Sequence, residues 1–148
     1  MEEIYKTPED SYTEQVHIVF SEDINGNGRL FGGKLVAWMD VVAAVVGRRH
    51  SGCEVTTASI DKTSFAAPAR LNDLMIITGK LVEVGNTSMK VEVTAYVENK
   101  CQRSLINKAL FVVVALDEND RPTRVPRLRI PEGGFEPVTT KACPVRKG

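Results

Sequence analysis

The sequence predicts one α+β domain, in which a curled antiparallel sheet of five strands wraps around a single long, buried helix. Residues 34–47 (KLVAWMDVVAAVVG) are apolar on nearly every side, which is typical of a helix that is buried all round. One strand-like segment precedes this helix and four follow it. A lone apolar helix cannot cover its own surface, whereas a curved antiparallel sheet can cover it.

The segments before the helix are a strand and a loop. Residues 12–20 alternate, and their even-numbered side chains, most of them apolar, share one face, as in a half-buried strand. Residues 21–28 are rich in turn formers and predict a loop. The helix follows Gly32-Gly33 and closes on two arginines, whose charge suits the negative end of the helix dipole.

Four strands are predicted after the helix. Residues 54–65 are rich in β-branched side chains, and residues 74–84 form the next apolar run. In 88–98 every second side chain is apolar, and the turn 85–87 should join this strand to the preceding one as a hairpin. Residues 104–117 end in a stretch that is apolar on both faces, which indicates a central place in the sheet. Because exposed edge strands invite pairing, a dimer that extends the sheet is expected.

Length, charge and cysteines narrow the class of protein. A chain of 148 residues suits one domain, and its 19 basic residues balance 19 acidic ones, so no net field favours nucleic acid or an anionic membrane. The chain shows no signal-peptide pattern and no apolar run near the ~18–20 residues of a membrane span. Cys53, Cys101 and Cys143 are odd in number and far apart, which predicts free thiols in a reducing compartment. We therefore expect a soluble cytoplasmic protein.

Asp40 is the most informative residue for chemistry. It is the only ionisable side chain between Lys34 and Arg48, within an otherwise apolar helix. A buried carboxylate is costly unless it is satisfied locally or used. The pattern alone leaves two interpretations open: an aspartate at a helix kink or solvated gap, and a nucleophile or general base.

A glycine-rich loop leads directly into this helix. It contains Asn25 and Gly28 and ends at Gly32-Gly33. Free N–H groups at a helix N-terminus suit the polarisation of a carbonyl or the stabilisation of an oxyanion. Gly33 has no Cβ and would let a substrate approach the backbone closely. The loop matches neither a P-loop nor a dinucleotide-binding fingerprint.

Other candidates have weaker support from the sequence. His17 and His50 have no metal-ligand partner at helical spacing, so structural or solvated roles are favoured for both. The serines lack a G-x-S-x-G setting, which argues against a serine hydrolase. Four arginines alternate with prolines between residues 121 and 129. Two roles remain open for these arginines. They could form a solvated or subunit-contacting tail, or they could bind an anionic cofactor phosphate.

The segment from Asn25 to Asp40, NGNGRLFGGKLVAWMD, resembles the signature of the YciA-type acyl-CoA hydrolases. These are hotdog-fold thioesterases related to the cytosolic long-chain acyl-CoA hydrolases of animals. The likeness continues in the family's order through most of the chain, at residues 55–61 (VTTASID), 65–73 (FAAPARLND), 84–93 (VGNTSMKVEV) and 111–117 (FVVVALD).

The resemblance implies a fold, an activity and a set of site residues. It implies one hotdog domain over residues 1–131, followed by a C-terminal tail over 132–148. It also implies hydrolysis of acyl-CoA thioesters to a free fatty or organic acid and CoA. Asp40 would act as general base or nucleophile, the Gly33 amide would polarise the carbonyl, and Asn25 would assist from the partner subunit.

The resemblance also implies how CoA is held and how subunits assemble. CoA would contact two segments, with residues Ala58, Ser59 and Ile60 in one and Gly85, Asn86, Thr87 and Ser88 in the other. No metal and no cofactor other than the CoA of the substrate is expected. The active site would form in a homodimer, and the family commonly assembles trimers of such dimers into hexamers.

Two positions depart from the family's pattern, and two other functions stay open. Asn86 stands where the family usually has arginine or lysine, which removes a cation that could hold a CoA phosphate. Asn72 stands where glycine is usual, in a turn. The alternatives are a non-catalytic acyl-CoA sensor and a hotdog dehydratase, which pairs an acid with a catalytic histidine. A sensor would usually carry a DNA-binding segment, and no such pattern precedes the first strand.

Overall fold

The computed structural model describes residues 3–137, apart from the side chain of Lys62. The described residues contain one α helix, α1 (Gly32–Ser51), and seven strands. The strands are β1 (Tyr5–Lys6), β2 (Thr13–Ile18), β3 (Glu54–Phe65), β4 (Leu74–Val84), β5 (Ser88–Asn99), β6 (Gln102–Leu116) and β7 (Arg127–Leu128). The long helix and the strands on both sides of it are confirmed, with bounds that differ from prediction by a few residues.

Five strands form an antiparallel sheet in the order β2-β4-β5-β6-β3, and α1 packs against every one of them. The alternating side chains predicted for β5 all point into this core, and α1 contributes the buried residues Leu35, Met39, Val42, Ala43 and Val46. One helix enclosed by a curled five-stranded sheet is the predicted hotdog fold. Its physical basis is the apolar surface of the helix, which only the curved sheet covers.

The helix lies directly on the sheet at two glycines. A Cβ on Gly79 of β4 would come within 2.7 Å of Val42 and 2.9 Å of Val46. A Cβ on Gly47 of the helix would come within 2.9 Å of Val113. Because these two positions are glycines, the backbones of helix and sheet can approach each other closely. A side chain at either position would not fit, since protein interiors tolerate little extra volume.

The first strand of the sheet differs from prediction in the role of its faces. Its apolar side chains Val16 and Ile18 are 59% and 48% exposed on the outer face of the sheet. The opposite face carries the buried Thr13 and the His17 ring, which stacks on Trp38 of α1 at 4.3 Å. Alternation separates the two faces of a strand, but it does not say which face meets the helix.

The hairpin of β4 and β5 is confirmed, whereas β6 lies inside the sheet but next to its edge strand β3, and β5 is the middle strand. Asn72 has a φ of 68°, a left-handed conformation that asparagine tolerates in place of glycine. The parallel pair β1–β7 was not predicted, since two-residue strands carry no readable periodicity.

The prediction of three free thiols is wrong for Cys101. This residue is disulfide-bonded, Cys53 is a free thiol, and Cys143 lies outside the described residues. Separation along the sequence does not report distance in space, so the spacing of the cysteines misled the interpretation. The cysteine pattern therefore gives no support for a reducing compartment.

Between residues 3 and 137 there is no helix with the length and apolarity needed to cross a bilayer. Phe135, within the segment predicted as a tail, packs edge-on against the Tyr12 ring at 6.0 Å. Residues 138–148 lie outside the described residues, and the domain boundary at residue 131 stays a prediction.

Candidate active site

Asp40 lies half-buried in the third turn of α1, facing strand β3. The Thr57 hydroxyl of β3 donates a hydrogen bond of 2.5 Å to Asp40 Oδ1. Such a bond to a charged acceptor fixes the orientation of the carboxylate, while Oδ2 remains as an acceptor. The structure thus gives Asp40 a defined partner from another element, at the inner face of the edge strand.

Thr57 was not singled out from the sequence. Its signal was available in the alternation of β3, because Thr57 falls two residues after Val55 and so on the face that meets the helix. Immediately after it, the pairing of β3 with β6 shifts register between Thr57 and Ser59, which leaves Ala58 as a bulge. Bulges redirect side chains and are frequent next to active sites.

The first turn of α1 has backbone donors without intrahelical partners, and the Phe31 ring lies against Gly33, where a Cβ would come within 2.7 Å of the ring. Phe31 occupies the cap position and makes no side-chain cap hydrogen bond. The amides of Lys34 and Leu35 already bond to the Phe31 carbonyl, at 3.0 and 3.1 Å. The amides of Gly32 and Gly33 come before these donors and belong to the first turn, where no intrahelical partner exists. They can serve as donors to a carbonyl oxygen or an oxyanion.

Asn25 is held by its own loop. Its Oδ1 accepts the backbone N–H groups of Asn27 at 2.9 Å and Arg29 at 3.2 Å. This arrangement uses the acceptor end of the amide and leaves the Nδ2 donors for another group. Both bonds stay inside the loop, and no hydrogen bond joins the side chains of Asn25 and Asp40 within one chain.

A second residue that the sequence did not single out, Asp23, attaches this loop to the helix. Its buried carboxylate accepts the Phe20 N–H at 2.9 Å and lies 3.4 Å from the Lys34 ammonium. Its carbonyl accepts the Phe31 N–H at 2.9 Å. Asp23 therefore fixes where the loop ends and where the helix begins.

The residues predicted to contact CoA lie in two places. Ala58, Ser59 and Ile60 are on β3, at the open edge of the sheet. The turn 85–88 lies at the same end of the sheet as Thr57, because Thr57 pairs with Val113 and Val113 pairs with Met89. Two strand spacings, roughly 10 Å, separate Thr57 from the strand that follows the turn.

The two histidines make structural contacts. The Nε2 of His50 lies 2.8 Å from the Pro126 carbonyl, and burial lowers the pKa of the ring. Burial also lowers the pKa of His17, whose ring stacks on Trp38. A neutral imidazole therefore suits both positions. Residues 3–137 contain no group of three or more potential His, Cys, Asp or Glu ligands placed to hold a metal ion.

Known proteins resemble this chain in both sequence and fold. The Thioesterase superfamily model matches residues 27–101. An uncharacterized acyl-CoA thioester hydrolase of Zymomonas mobilis is 37% identical over 111 residues, which are 74% of this chain and 74% of that protein. The structure of an apo-hexameric acyl-CoA thioesterase superposes with a TM-score of 0.83 and 33% identity, covering 86% of this chain and 83% of that one.

A third similar protein is the acyl-CoA hydrolase of Staphylococcus aureus, solved in complex with butyryl coenzyme A, coenzyme A and coenzyme A disulfide. Its TM-score is 0.82 at 29% identity, and the match covers 84% of this chain and 77% of that one. The same hydrolase has been solved with an asparagine, an aspartate or a threonine replaced by alanine. Those residues are 15 and 17 positions apart, as are Asn25, Asp40 and Thr57 here.

The family model spans half of the chain, and the Zymomonas relative agrees over most of its own length. The fold also agrees with that of the similar solved structures. The chain therefore belongs to the Thioesterase superfamily.

Proposed function

We propose that the protein hydrolyses acyl-CoA thioesters to a free fatty or organic acid and CoA. The observation that carries the proposal is the Asp40 carboxylate, which Thr57 orients on the inner face of the sheet. The relatives named as acyl-CoA thioester hydrolases, and the coenzyme A complexes of a similar structure, support the choice of substrate. The activity places the protein in fatty acid metabolism.

The chemistry requires a polarised carbonyl and an activated nucleophile. The Gly33 amide in the first turn of α1 hydrogen-bonds the thioester oxygen and stabilises the charge that develops there. Asp40 then either removes a proton from water, which attacks the carbonyl carbon, or attacks that carbon itself to give a mixed anhydride that water hydrolyses. In both routes the C–S bond breaks and the CoA thiolate leaves, and Asn25 orients the water or the carbonyl.

The site is completed by a second subunit in this proposal. Three apolar side chains, Phe31, Val41 and Ile60, are between 39% and 58% exposed along the helix start, the helix and the edge strand β3. Edge strands with unpaired backbone groups are suited to pairing with another chain. A homodimer joined along β3 would bring Asn25 of one subunit to Asp40 of the other, and a hexamer would be a trimer of such dimers. The hexameric state of a similar thioesterase supports this assembly.

Three further expectations belong to this proposal. The only cofactor is the CoA carried by the substrate, and no metal takes part. Nucleic acid and membrane are not partners. The protein works in the cytoplasm, where CoA thioesters are made and consumed.

Thiol release from a panel of acyl-CoAs of increasing chain length tests the proposal directly. We expect turnover of at least one member, detected as free CoA with a thiol reagent, and CoA binding measured by calorimetry in parallel. Tight binding without thiol release would instead identify a sensor, and hydration of 2-enoyl-CoA without thiol release would identify a dehydratase. Either outcome would contradict hydrolysis.

Replacing Thr57 with valine should lower kcat about 10- to 100-fold while KM changes little, because the hydroxyl acts on Asp40 rather than on the substrate. The variant Thr57→Ser is the matched control, since serine retains the hydroxyl and loses only a methyl group. Rescue of kcat by serine separates hydrogen bonding from packing. Equal kcat values for the valine variant and the wild type would rule out this positioning role.

A further inference from the structure

The turn 85–88, predicted to contact CoA, has no cation of its own, because asparagine stands at position 86, where the resemblance implies arginine or lysine. The structure places an arginine from a distant part of the chain against this asparagine. Arg124 Nη1 donates a hydrogen bond of 2.8 Å to Asn86 Oδ1. The guanidinium thus lies beside the side chain at the position where a cation is expected.

Hydrogen bonds join the turn to the segment that follows β6. The Val125 N–H donates to the Asn86 carbonyl at 3.0 Å, and Arg127 Nη2 donates to the Gly85 carbonyl at 2.8 Å. Both bonds come from residues that follow Arg124, so the chain directly after that arginine is attached to the turn. The Arg124 side chain is 49% exposed, so the charge is accessible to a ligand while its position is fixed.

We infer that Arg124 binds a phosphate of the CoA moiety and replaces the cation that position 86 lacks. The inference rests on the proposed function, because it takes acyl-CoA as the substrate. CoA carries a diphosphate and a ribose phosphate, and a guanidinium binds such oxygens with two parallel hydrogen bonds. The turn lies at the same end of the sheet as Thr57, two strands away, and the pantetheine arm of CoA separates the thioester from the phosphates.

Glu3 forms an ion pair with Arg124. Its Oε1 accepts hydrogen bonds from Arg124 Nε at 3.0 Å and Nη2 at 2.7 Å, which is the edge of the fork that suits a phosphate. The hydrogen bond from Arg124 lowers the pKa of the Glu3 carboxyl, so Glu3 is charged at neutral pH. Glu3 therefore competes with the phosphate for the same donors, and removing its charge should favour CoA.

The test compares three single variants with the wild type by steady-state hydrolysis of one acyl-CoA. Arg124→Gln should raise KM about 3- to 10-fold with kcat nearly unchanged, and the effect should shrink at high salt. Glu3→Gln should lower KM about twofold, which is the opposite of the change expected for Arg124→Gln. A general loss of structure would not lower KM. Arg121→Gln, which removes an exposed charge from the same segment, is the matched control and should leave KM at the wild-type value.

A second substrate separates this inference from the proposed function. Acyl-pantetheine has the same thioester but no phosphate, so the difference between Arg124→Gln and the wild type should disappear with it. Hydrolysis of acyl-CoA with equal KM for the Arg124 and Arg121 variants would overturn the role of Arg124 and leave the thioesterase proposal intact. No hydrolysis of either thioester by the wild type would overturn the proposed function. Calorimetric CoA binding by the same variants would then still decide the role of Arg124.

Discussion

Replacing Asp40 with asparagine should lower kcat for acyl-CoA hydrolysis by about 10²- to 10⁴-fold, the range that general base catalysis contributes. Asparagine keeps the shape of the side chain, and its Oδ1 can still accept the hydrogen bond from Thr57. The substitution removes only the negative charge that abstracts a proton or attacks the carbonyl. KM should change far less than kcat, because the interaction is made in the transition state.

The matched control for this variant is Asp120→Asn. It makes the same chemical change at an exposed turn position with a φ of 58°, which asparagine adopts readily. Thermal unfolding of both variants should stay close to that of the wild type, which excludes loss of structure as the cause. Wild-type turnover by Asp40→Asn across the acyl-CoA panel would show that Asp40 is a structural residue, and the proposed mechanism would be abandoned.

Mixing two inactive variants should restore activity. Asp40→Asn chains retain Asn25, and Asn25→Ala chains retain Asp40, so a mixed dimer in which the two residues act across the interface contains one intact site and one doubly altered site. Purified mixed dimers should therefore show about half of the wild-type rate, and an unsorted mixture of equal amounts about a quarter, because random assembly makes about half of the dimers mixed. The physical basis is the Asn25 side chain, whose hydrogen bonds within its chain stay in its own loop.

The measurement is thiol release after the two variants are co-expressed with different affinity tags and the mixed species is purified through both tags. As the background, each variant is expressed alone with both affinity tags, purified in the same way and assayed for thiol release. If Asn25 and Asp40 acted within one chain, no mixture would contain an intact site and the rate would stay at background. That result would remove the partner subunit from the mechanism without affecting the role of Asp40.

The long helix and the five strands of the sheet could be predicted from the sequence, and so could two of the candidate site residues, Asp40 and Gly33. Hydrophobic period is a local property, so the apolar segment 34–47 and the alternation of β5 could be read directly. Asp40 could be singled out because one charge in an apolar helix is conspicuous in sequence. Gly32 and Gly33 likewise marked the start of the helix, where backbone N–H groups have no intrahelical partner.

Contacts between distant segments could be decided only by the tertiary structure. Thr57 is 17 residues from Asp40, and only the packing of α1 on β3 brings its hydroxyl to the carboxylate. The same holds for Arg124 beside Asn86, for the face of β2 that meets the helix, and for the disulfide of Cys101. Periodicity fixes which side chains share a face of one element. Which face meets which partner is set by how all elements bury their apolar surface together, and that information lies in no single segment.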